Sequence, residues 1–404
     1  MKLVFYSYRG DIAGIAYRCH LEGTETYLLI KQPEYKQILD GFLPKLQTLT
    51  DIVKLKPDII IFDTAGMYED AEKLEKFGIK TYGTSATIDR ILSDTSLSMK
   101  FIPDLGIKMP YYQEFAGIPE AVEYIRNKPS NYAVSFPGSM YLPYKGKDLE
   151  AKDLLLYLDW LAGKEKEPLK CVVSRQIYGV ECSASLFFSA GKPVYPAFSS
   201  IYKCGSLTGN LGIMGTPQIS LNWFYAIKEP RLVQYFKRTF ELAKRVEYNG
   251  LLTMNYVIGK DGTVWCTGIT TSLNHFYAGL LAQGGVSSLF SGLLVGEMTA
   301  NTDKRLYCVN LHVCTPTPNK LDLLKMKGMP VILPAGVIPA DIFNDNGINR
   351  LCGTSSHVCT VVCDSDESFK NVVRKAMIPH IAYRSDGAYI LNRDWLKIHE
   401  TGIV

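Results

Sequence analysis

A run of consecutive apolar residues, from Ile59 to Phe62, constrains the fold of this chain more than any other feature. A strand that lacks polar alternation is buried on both faces, which is typical of a parallel sheet covered by helices. Further strand patterns alternate with apolar helical patterns before this run. We therefore predict an open α/β domain over residues 1–85, with strands at 3–8, 27–31 and 58–62 and helices near 12–20 and 37–49.

The loops that follow these strands are candidate ligand sites. Ligands of open α/β sheets bind at the carboxyl ends of the strands. Gly10 and Asp11 follow the first predicted strand, and Asp63 directly follows Phe62. We predict that these three residues contact a ligand. Alternatively, Asp63 only caps the helix after it, since Asp and Thr commonly precede a helix.

The composition is that of a folded globular protein with several domains. A length of 404 residues allows roughly two to four domains. The net charge is +4, without a block of lysine and arginine, which argues against a nucleic-acid partner. The chain has 10 cysteines, and a strand pattern follows its first methionine directly. We therefore expect reduced thiols and a cytoplasmic location.

One segment, from Phe276 to Gly296, has no charged residue and thus resembles a membrane span. A glutamine, a glycine pair and several serines interrupt it. Small residues of this kind favour a buried helix or a buried helix pair. We expect no membrane-spanning helix here.

The stretch from Asn249 to Asn274 predicts a hairpin of two core strands around a turn at Lys260–Gly262. The second strand leaves the hairpin through residues 265–272, which are uncharged and mostly small or polar. Phosphate-handling enzymes need acidic metal ligands or cations in their sites. The lack of charge at this exit argues against such chemistry.

The rest of the chain predicts a second α/β segment before the hairpin and a strand-rich region after residue 305. The additional predicted helices lie at about 87–105, 118–127, 149–162, 230–248 and 367–377, and the predicted strands include 132–136, 169–175 and 181–189.

Four stretches with glycines follow one another along the chain: Gly78–Gly83, Gly179–Ser183, Asn210–Gly215 and the hairpin that starts at Asn249. In this order they resemble the phosphoribosylamine–glycine ligase family of the ATP-grasp superfamily, which acts in purine biosynthesis. The resemblance implies an α/β ATP-grasp architecture. Its implied parts are an N-terminal open parallel-sheet domain at 1–85, an ATP-grasp region at 86–304 with a lid subdomain at about 130–192, and a C-terminal β-rich domain at 305–404.

The same resemblance shows where that family's metal ligands fall in this chain. The two ligands align with Cys266 and Gly268, and the arginine that follows them aligns with Thr270. Mg²⁺ requires oxygen ligands, usually carboxylates. The resemblance therefore implies a fold whose Mg²⁺ chemistry is lost, and we expect no metal.

The family's nucleotide contacts are also replaced. Its two lysines align with Thr95 and Ser135, and its glutamates near the nucleotide align with Ser174 and Arg175. Phosphoryl transfer needs cations that stabilise the transferred group. We therefore expect no bound cofactor, and ATP with Mg²⁺ only if the contacts have moved.

Two loops supply further candidates by resemblance. Residues 139–147 correspond to the phosphate loop of the lid, and residues 210–215 correspond to a glycine-rich stretch of the substrate cleft. Alternatively, the first is an exposed loop, the second only sets turns, and the glutamate of Gly179–Ser183 is an ordinary strand residue. The candidate cleft residues outside the N-terminal domain are Lys145, Lys147, Arg175, Glu181, Asn210, Gly212, Gly215, Cys266, Thr270 and His275.

Cysteines and histidines recur in the C-terminal strand patterns. Their even spacing places each group on one face of its strand, where the two groups together could hold a metal. We predict core packing instead, because cysteine is often buried as a small apolar residue. Cys266 and His275 are a second candidate pair, as nucleophile and base. The C-terminal residues concerned are Cys308, His312, Cys314, Cys352, His357, Cys359 and Cys363.

Two functions follow from these observations. We predict a divergent relative of the ligase family that has lost ATP- and Mg²⁺-dependent ligation and binds another small molecule or a partner in the cleft. The alternative is an active ATP-dependent carboxylate–amine ligase whose nucleotide contacts have moved, for instance to Lys100 or Lys145. The sequence leaves open whether the chain is an enzyme, and in which oligomeric state it acts.

Overall fold

Within the residues that it describes, a computed structural model of the chain contains four sheets with helices between them. One sheet is parallel and the others are antiparallel, so the predicted α/β class is confirmed. The described residues are 1–93, 101–104, 106–137, 141, 144–165, 167–204, 212–213, 217–224, 237–273, 285–297, 305–313, 320–355, 357–363, 365–375, 381–382 and 387–400.

The N-terminal sheet has four parallel strands in the order β2-β1-β3-β4. All residues of β3 are buried, as its apolar sequence predicts. The strands are β1 (Lys2–Ser7), β2 (Glu25–Ile30), β3 (Ile59–Phe62) and β4 (Thr81–Tyr82), and the helices are α1 (Ala13–Leu21), α2 (Leu49–Leu55), α3 (Tyr68–Glu75) and α4 (Ala86–Ser93).

The prediction of a helix near residues 37–49 is wrong. The next helix, α2, begins only at Leu49, after a capping box formed by Thr48 and Asp51. Leu39 and Gly41 have φ angles of 59° and 78°, which lie outside the right-handed helical region. The N–H of Leu39 also donates to the carbonyl oxygen of Ile342 at 2.7 Å. This contact with a distant strand acts together with Gly41 and Pro44, which disfavour a helix interior.

The second sheet, the small sheet, has five antiparallel strands in the order β11-β7-β6-β8-β5. It has a separate core with two helices. The predicted helix at 118–127 is confirmed at both ends. The elements are β5 (Tyr112–Phe115), α5 (Ile118–Asn127), β6 (Tyr132–Ser135), β7 (Tyr144–Lys145), α6 (Lys152–Ala162), β8 (Cys171–Arg175) and β11 (Gly212–Ile213).

The third sheet, the large sheet, has nine strands and contains the predicted hairpin as β13 and β14. Its order is β14-β13-β9-β10-β12-β15-β19-β16, and β20 pairs with β15. The division into domains at 85 and 304 stays a prediction. The strands are β9 (Gly179–Ser189), β10 (Lys192–Cys204), β12 (Pro217–Phe224), β13 (Gly250–Gly259), β14 (Val264–Thr270), β15 (Arg305–Val313), β16 (Ile338–Pro339), β19 (His357–Cys363) and β20 (Ile381–Ala382).

Two predicted helices lie partly outside the described residues. The helix predicted at 87–105 begins as α4, and the helix predicted at 230–248 contains a 3-10 turn at Lys237–Thr239 followed by α7 (Phe240–Arg245).

Helix α8 (Val286–Val295) occupies the second half of the uncharged segment and buries one face, as predicted. Its Phe290 packs edge to face against Phe5 of the N-terminal sheet at 5.4 Å and against Phe187 of the large sheet at 6.5 Å. The helix therefore joins the two sheets in one core. Among the described residues, no helix is long and apolar enough to cross a membrane.

The region after residue 305 is strand-rich and contains the predicted late helix as α10 (Asp366–Lys375). A further helix, α11 (Gly387–His399), is absent from the sequence prediction. Its Leu391, Asp394 and Ile398 are buried at helical spacing. The remaining elements are α9 (Lys320–Lys325) and the hairpin of β17 (Ile342–Asp345) and β18 (Ile348–Leu351).

Candidate functional site

Strand β9 shows which face of the large sheet is turned toward the small sheet. The carboxylate of Glu181 on β9 forms an ion pair with the ammonium of Lys145 on β7, and the two side chains are 21% and 33% exposed. Side chains alternate along a strand, so Ser183 and Ser185 lie on the same face as Glu181. Cys182 lies on the opposite face, in the main core. We call the face that carries Glu181 the cleft face.

The cleft face continues onto β13 and β10, because directly opposed residues of paired antiparallel strands share a face. Asn255 of β13 and Ser200 of β10 both lie opposite Ser183. Thr253 lies opposite Ser185, and the hydroxyl of Ser185 donates to Oγ1 of Thr253 at 2.6 Å. Hydroxyl and amide groups therefore line the middle of the cleft face.

Charge is scarce on this face. Glu181 is the one acidic residue in β9, β10, β13 and β14, all of which the structure describes. Lys145 already neutralises it. A divalent cation is held by several oxygen ligands, usually including carboxylates. The donor set of these strands does not fit a Mg²⁺ ion.

A bulge in the hairpin determines which residues of β14 reach the cleft face. Tyr256 lies opposite Cys266 and Asn255 lies opposite Gly268, so Thr267 is the extra residue. Cys266 therefore points into the core, and burial raises the pKa of its thiol to about 12. Gly268 lies on the cleft face, and a Cβ atom added there would have no atom of a non-neighbouring residue within 4 Å. The candidate Cys266 thus lies behind the cleft.

Two other residues of β14 extend the cleft face. Thr270 lies opposite Thr253, and its hydroxyl accepts a hydrogen bond from the N–H of Ser272 at 3.0 Å. Trp265 lies opposite Val257 and is half-buried, with the ammonium of Lys108 at 5.9 Å from the centre of its ring. The candidate Thr270 therefore lies on the cleft face, and its contact with a ligand stays a prediction.

Strand β7 brings three of the sequence candidates together. Gly212 of β11 lies opposite Lys145, which also pairs with Glu181. Lys147 is exposed at the end of the same loop, and its N–H donates to Oδ2 of Asp153 at 2.8 Å. Lys145, Glu181 and Gly212 therefore form one group between the small and large sheets, and Lys147 lies beside it.

Arg175 lies on the other face of the small sheet. It is opposite Tyr132 of β6, whose ring belongs to the core of the small sheet. Lys145 is instead opposite Ala133, the next residue along β6. Ser174, which is also opposite Ala133, shares the face of Lys145. Register therefore separates Arg175 from the cleft.

The three N-terminal candidates form a second group at the carboxyl end of the parallel sheet. Asp63 is buried and accepts hydrogen bonds from the hydroxyl of Ser7 and from the N–H of Tyr8, the latter at 3.1 Å. Burial, and then the charge of Asp11, raises the pKa of Asp63 to about 7. The N–H of Gly10 donates to the hydroxyl of Ser7 at 2.7 Å.

Gly10 and Asp63 thus fix the loop after β1. Gly10 has a φ of +88°, and a Cβ atom would lie 2.8 Å from Cδ1 of Ile38, so its backbone conformation requires glycine. The carbonyl oxygen of Asp63 accepts the N–H of Leu273 at 3.3 Å, which connects this edge with the end of β14. Asp63 does not cap α3, because Met67 precedes that helix.

Several sequence candidates lie outside the described residues. These are Asn210, Gly215 and His275, together with Thr95, Lys100 and Cys314. The proposed pair of Cys266 and His275 therefore stays a prediction.

The C-terminal cysteines that the structure describes are buried. Cys308 is opposite Val362 and Cys363 is opposite Tyr307, so the two thiols are on different faces of the sheet. Burial raises the pKa of the Cys359 thiol to about 12. Among the residues that the structure describes, no three histidine, cysteine, aspartate or glutamate side chains are close enough to hold a metal ion.

Four residues of the cleft face are absent from the candidates predicted from the sequence: Ser183, Ser185, Thr253 and Asn255. A signal was present, because the polar residues of each pair occupy alternate positions among mostly apolar residues of their strand. The pairing of β9 with β13, which brings them together, is not encoded in either strand alone.

Comparison with known proteins defines the fold class. No protein-family model matches the sequence, and no curated protein matches it significantly. Solved structures that match the chain are ATP-grasp enzymes, and the chain has the ATP-grasp fold.

Phosphoribosylamine–glycine ligase from Thermotoga maritima is one of these structures, with 13% sequence identity and a TM-score of 0.70 over 96% of this chain and 100% of that chain. Biotin carboxylase from Campylobacter jejuni, in a complex with βγ-ATP, has 13% identity and a TM-score of 0.66 over 99% and 96%. N5-carboxyaminoimidazole synthetase from Staphylococcus aureus, complexed with ADP, has 11% identity and a TM-score of 0.57 over 92% and 96%.

Proposed function

We propose that this protein binds a small molecule in the cleft of an ATP-grasp fold and does not carry out Mg²⁺- and ATP-dependent ligation. One observation carries the proposal: Glu181 is the one acidic residue of β9, β10, β13 and β14, and it is paired with Lys145. Transfer of a phosphoryl group requires metal ions and cations around the phosphates. Hydroxyl, amide and glycine positions replace such groups on the cleft face.

The orientation of Cys266 supports the same proposal. By family resemblance this position would carry a metal ligand, but the bulge turns it into the core. Its raised pKa keeps the thiol protonated at neutral pH, and a protonated thiol is a poor metal ligand. Replacement of the side chain alone would therefore not restore a ligand at this position.

The test is a titration of the protein with ATP, with and without Mg²⁺, followed by thermal melting and by calorimetry. A ligand at 100 times its Kd stabilises the native state by about 2.7 kcal/mol. We expect millimolar Mg-ATP to leave the melting temperature unchanged and to release no heat of binding. A Mg²⁺-dependent rise in melting temperature would refute the proposal.

The second candidate is an active carboxylate–amine ligase of the purine-biosynthesis type. Its specific support is the group of Lys145, Glu181 and Gly212, in which a cation and a carboxylate meet between the two sheets. In such an enzyme Lys145 would neutralise phosphate charge and Glu181 would hold the metal. Release of ADP that depends on glycine and an amine, and that Glu181→Gln abolishes, would establish this alternative.

We further propose a cytoplasmic protein without a nucleic-acid partner. The eight cysteines whose side chains the structure describes are buried thiols, as is common for proteins of reducing compartments. Separation of cell extracts into cytoplasmic, envelope and secreted fractions tests the location. Recovery in a secreted fraction would contradict it.

A further inference from the structure

Three segments of the chain meet at one end of the small sheet, on the face that is turned away from the cleft. The N–H of Arg175, at the end of β8, donates to the carbonyl oxygen of Tyr111 at 2.8 Å. Arg175 is also opposite Tyr132, the first residue of β6. The hydroxyl of Tyr111 donates to Oε1 of Gln113, which is opposite the core residue Val173. Tyr111, Tyr132 and Arg175 therefore share this face, which we call the outer face.

Tyrosine rings gather at this end of the outer face. Tyr111 and Tyr178 are 61% and 56% exposed, which is unusual for such large side chains. Asn131 donates through Nδ2 to the hydroxyl of Tyr178, and the ring of Tyr124 packs at 6.0 Å against that of Tyr132. Tyrosine is enriched at protein interfaces, because its rigid ring offers a large apolar area with a polar end. The exposed rings therefore mark a contact surface.

The charge at this surface is positive and not compensated. The segments that meet there contain four lysines and arginines and no acidic residue. Arg126 is paired with Asp159, but the exposed side chains of Lys128 and Arg175 form no ion pair with any residue that the structure describes. The ammonium of Lys128 lies 5.5 Å from the centre of the Tyr124 ring. The segments are 106–113, 124–132 and 173–180.

These charges favour a protein segment with carboxylates over a nucleic acid. Opposite charges across an interface attract and orient the partner, and two unpaired cations suit two carboxylates. A nucleic acid is held by many lysines and arginines that each contact a phosphate, and this surface offers two.

We propose that this surface docks an acidic peptide segment of a partner protein. The carboxylates of the segment pair with Lys128 and Arg175, and its apolar side chains cover the rings of Tyr111 and Tyr178. We call these four residues, with Tyr124, the tyrosine patch. Buried aromatic anchors and desolvated charge pairs supply most of the affinity of an interface. The patch lies on the other face of the sheet from the cleft, so this inference goes beyond the proposed function and does not depend on it.

Peptide display on the full-length protein tests the chemistry of the partner. A library of random short peptides is selected against the immobilised protein, and the affinity of the strongest binder is measured by fluorescence anisotropy. We expect selected peptides to be rich in aspartate and glutamate next to apolar residues, and to bind more weakly at high salt. Selection of basic or uncharged peptides, or of none, would overturn the proposal.

Charge reversal shows whether the selected peptide binds at the tyrosine patch. We expect Lys128→Glu and Arg175→Glu each to weaken its binding at least about tenfold, and Tyr178→Ala to do the same. Tyr178→Phe keeps the ring and should bind like wild type. The matched control is Arg9→Glu, because Arg9 is also exposed and lies 5.7 Å from the ring centre of Tyr8, but in the N-terminal sheet. Binding should be unchanged in this control.

The remaining outcomes are equally decisive. If both charge variants bind the peptide like wild type, the patch is not the docking site. If Arg175→Glu does not fold, Lys128→Glu decides, since its side chain is exposed at the end of a helix. Binding of oligothymidylate that both variants abolish, without binding of an acidic peptide, would assign the patch to a nucleic acid and refute the proposal. The titration with Mg-ATP reports on the cleft, so either proposal can fail alone.

Discussion

The carboxylate of Glu22 holds the N terminus of helix α8, and its removal should destabilise the protein. Its Oε1 accepts the N–H groups of Gly285 and Val286, both at 3.1 Å. Its Oε2 accepts the N–H of Ser287 at 2.9 Å and the hydroxyl of Ser287 at 2.7 Å. Arg18 donates to the same carboxylate at 2.9 Å. Glu22 thus satisfies donors at a helix start that has no side-chain cap of its own.

The magnitude follows from these contacts. Loss of a helix cap costs about 0.5 to 2 kcal/mol, and hydrogen bonds to charged groups contribute about 1.5 to 3 kcal/mol. These contributions overlap, so we expect Glu22→Ala to lower the free energy of unfolding by about 3 kcal/mol. The measurement is urea denaturation followed by circular dichroism. The control is Glu25→Ala. Glu25 is exposed and forms a long ion pair with Lys2, at 4.0 Å, so its replacement should lower the free energy of unfolding by less than about 1 kcal/mol.

The effect should also depend on pH. Burial pushes the pKa of Glu22 upward, but the hydrogen bonds from Ser287 and Arg18 outweigh burial and hold it below its ordinary value of 4.5. A lowered folded-state pKa contributes stability that is present above the unfolded pKa and is lost as the pH falls through the folded value. Wild type and Glu22→Ala should therefore converge in acid. Two results would refute the reasoning. Glu22→Ala could lower the free energy of unfolding by no more than Glu25→Ala does, or its difference from wild type could persist at a pH where Glu22 is protonated.

Two further predictions concern the edge of the N-terminal sheet. Gly83→Ala should lower the free energy of unfolding, measured by urea denaturation, by about 3 kcal/mol. Gly83 has a φ of +105°, and the added Cβ atom would overlap the carbonyl oxygen of Phe62. Gly66→Ala, at a φ of +91° with no atom within 4 Å, should cost only about 1 kcal/mol, and equal costs would contradict the steric argument. Burial and the charge of Asp11 raise the pKa of Asp63 from 3.8 to about 7, so the native state keeps a proton that the unfolded chain releases. The free energy of unfolding of the wild type should therefore fall as the pH rises from 4 to 7, by at most about 4 kcal/mol, and Asp63→Asn should remove this pH dependence. An unchanged pH dependence in the variant would show that other groups cause it.

The parts of the fold with a strong local pattern could be predicted from the sequence. The apolar run of β3, the helix at Ile118–Asn127 and the hairpin of β13 and β14 all have the predicted structure. Each is determined by the period of its own apolar residues and by its own turn residues. The lack of charged residues at 265–272, where the second strand leaves the hairpin, was equally visible, because composition does not depend on folding.

Contacts between distant segments decided the rest. The helix predicted at residues 37–49 does not form: Gly41 and Pro44 disfavour it, and left-handed residues and a hydrogen bond to Ile342 take its place. The bulge opposite Tyr256 turned Cys266 away from the cleft, and strand register placed Arg175 on the other face of its sheet. A shift of one residue in register exchanges the two faces of a strand. Sequence alone therefore determined which residue types the cleft contains, and only tertiary pairing decided that Ser183, and not Cys266, faces it.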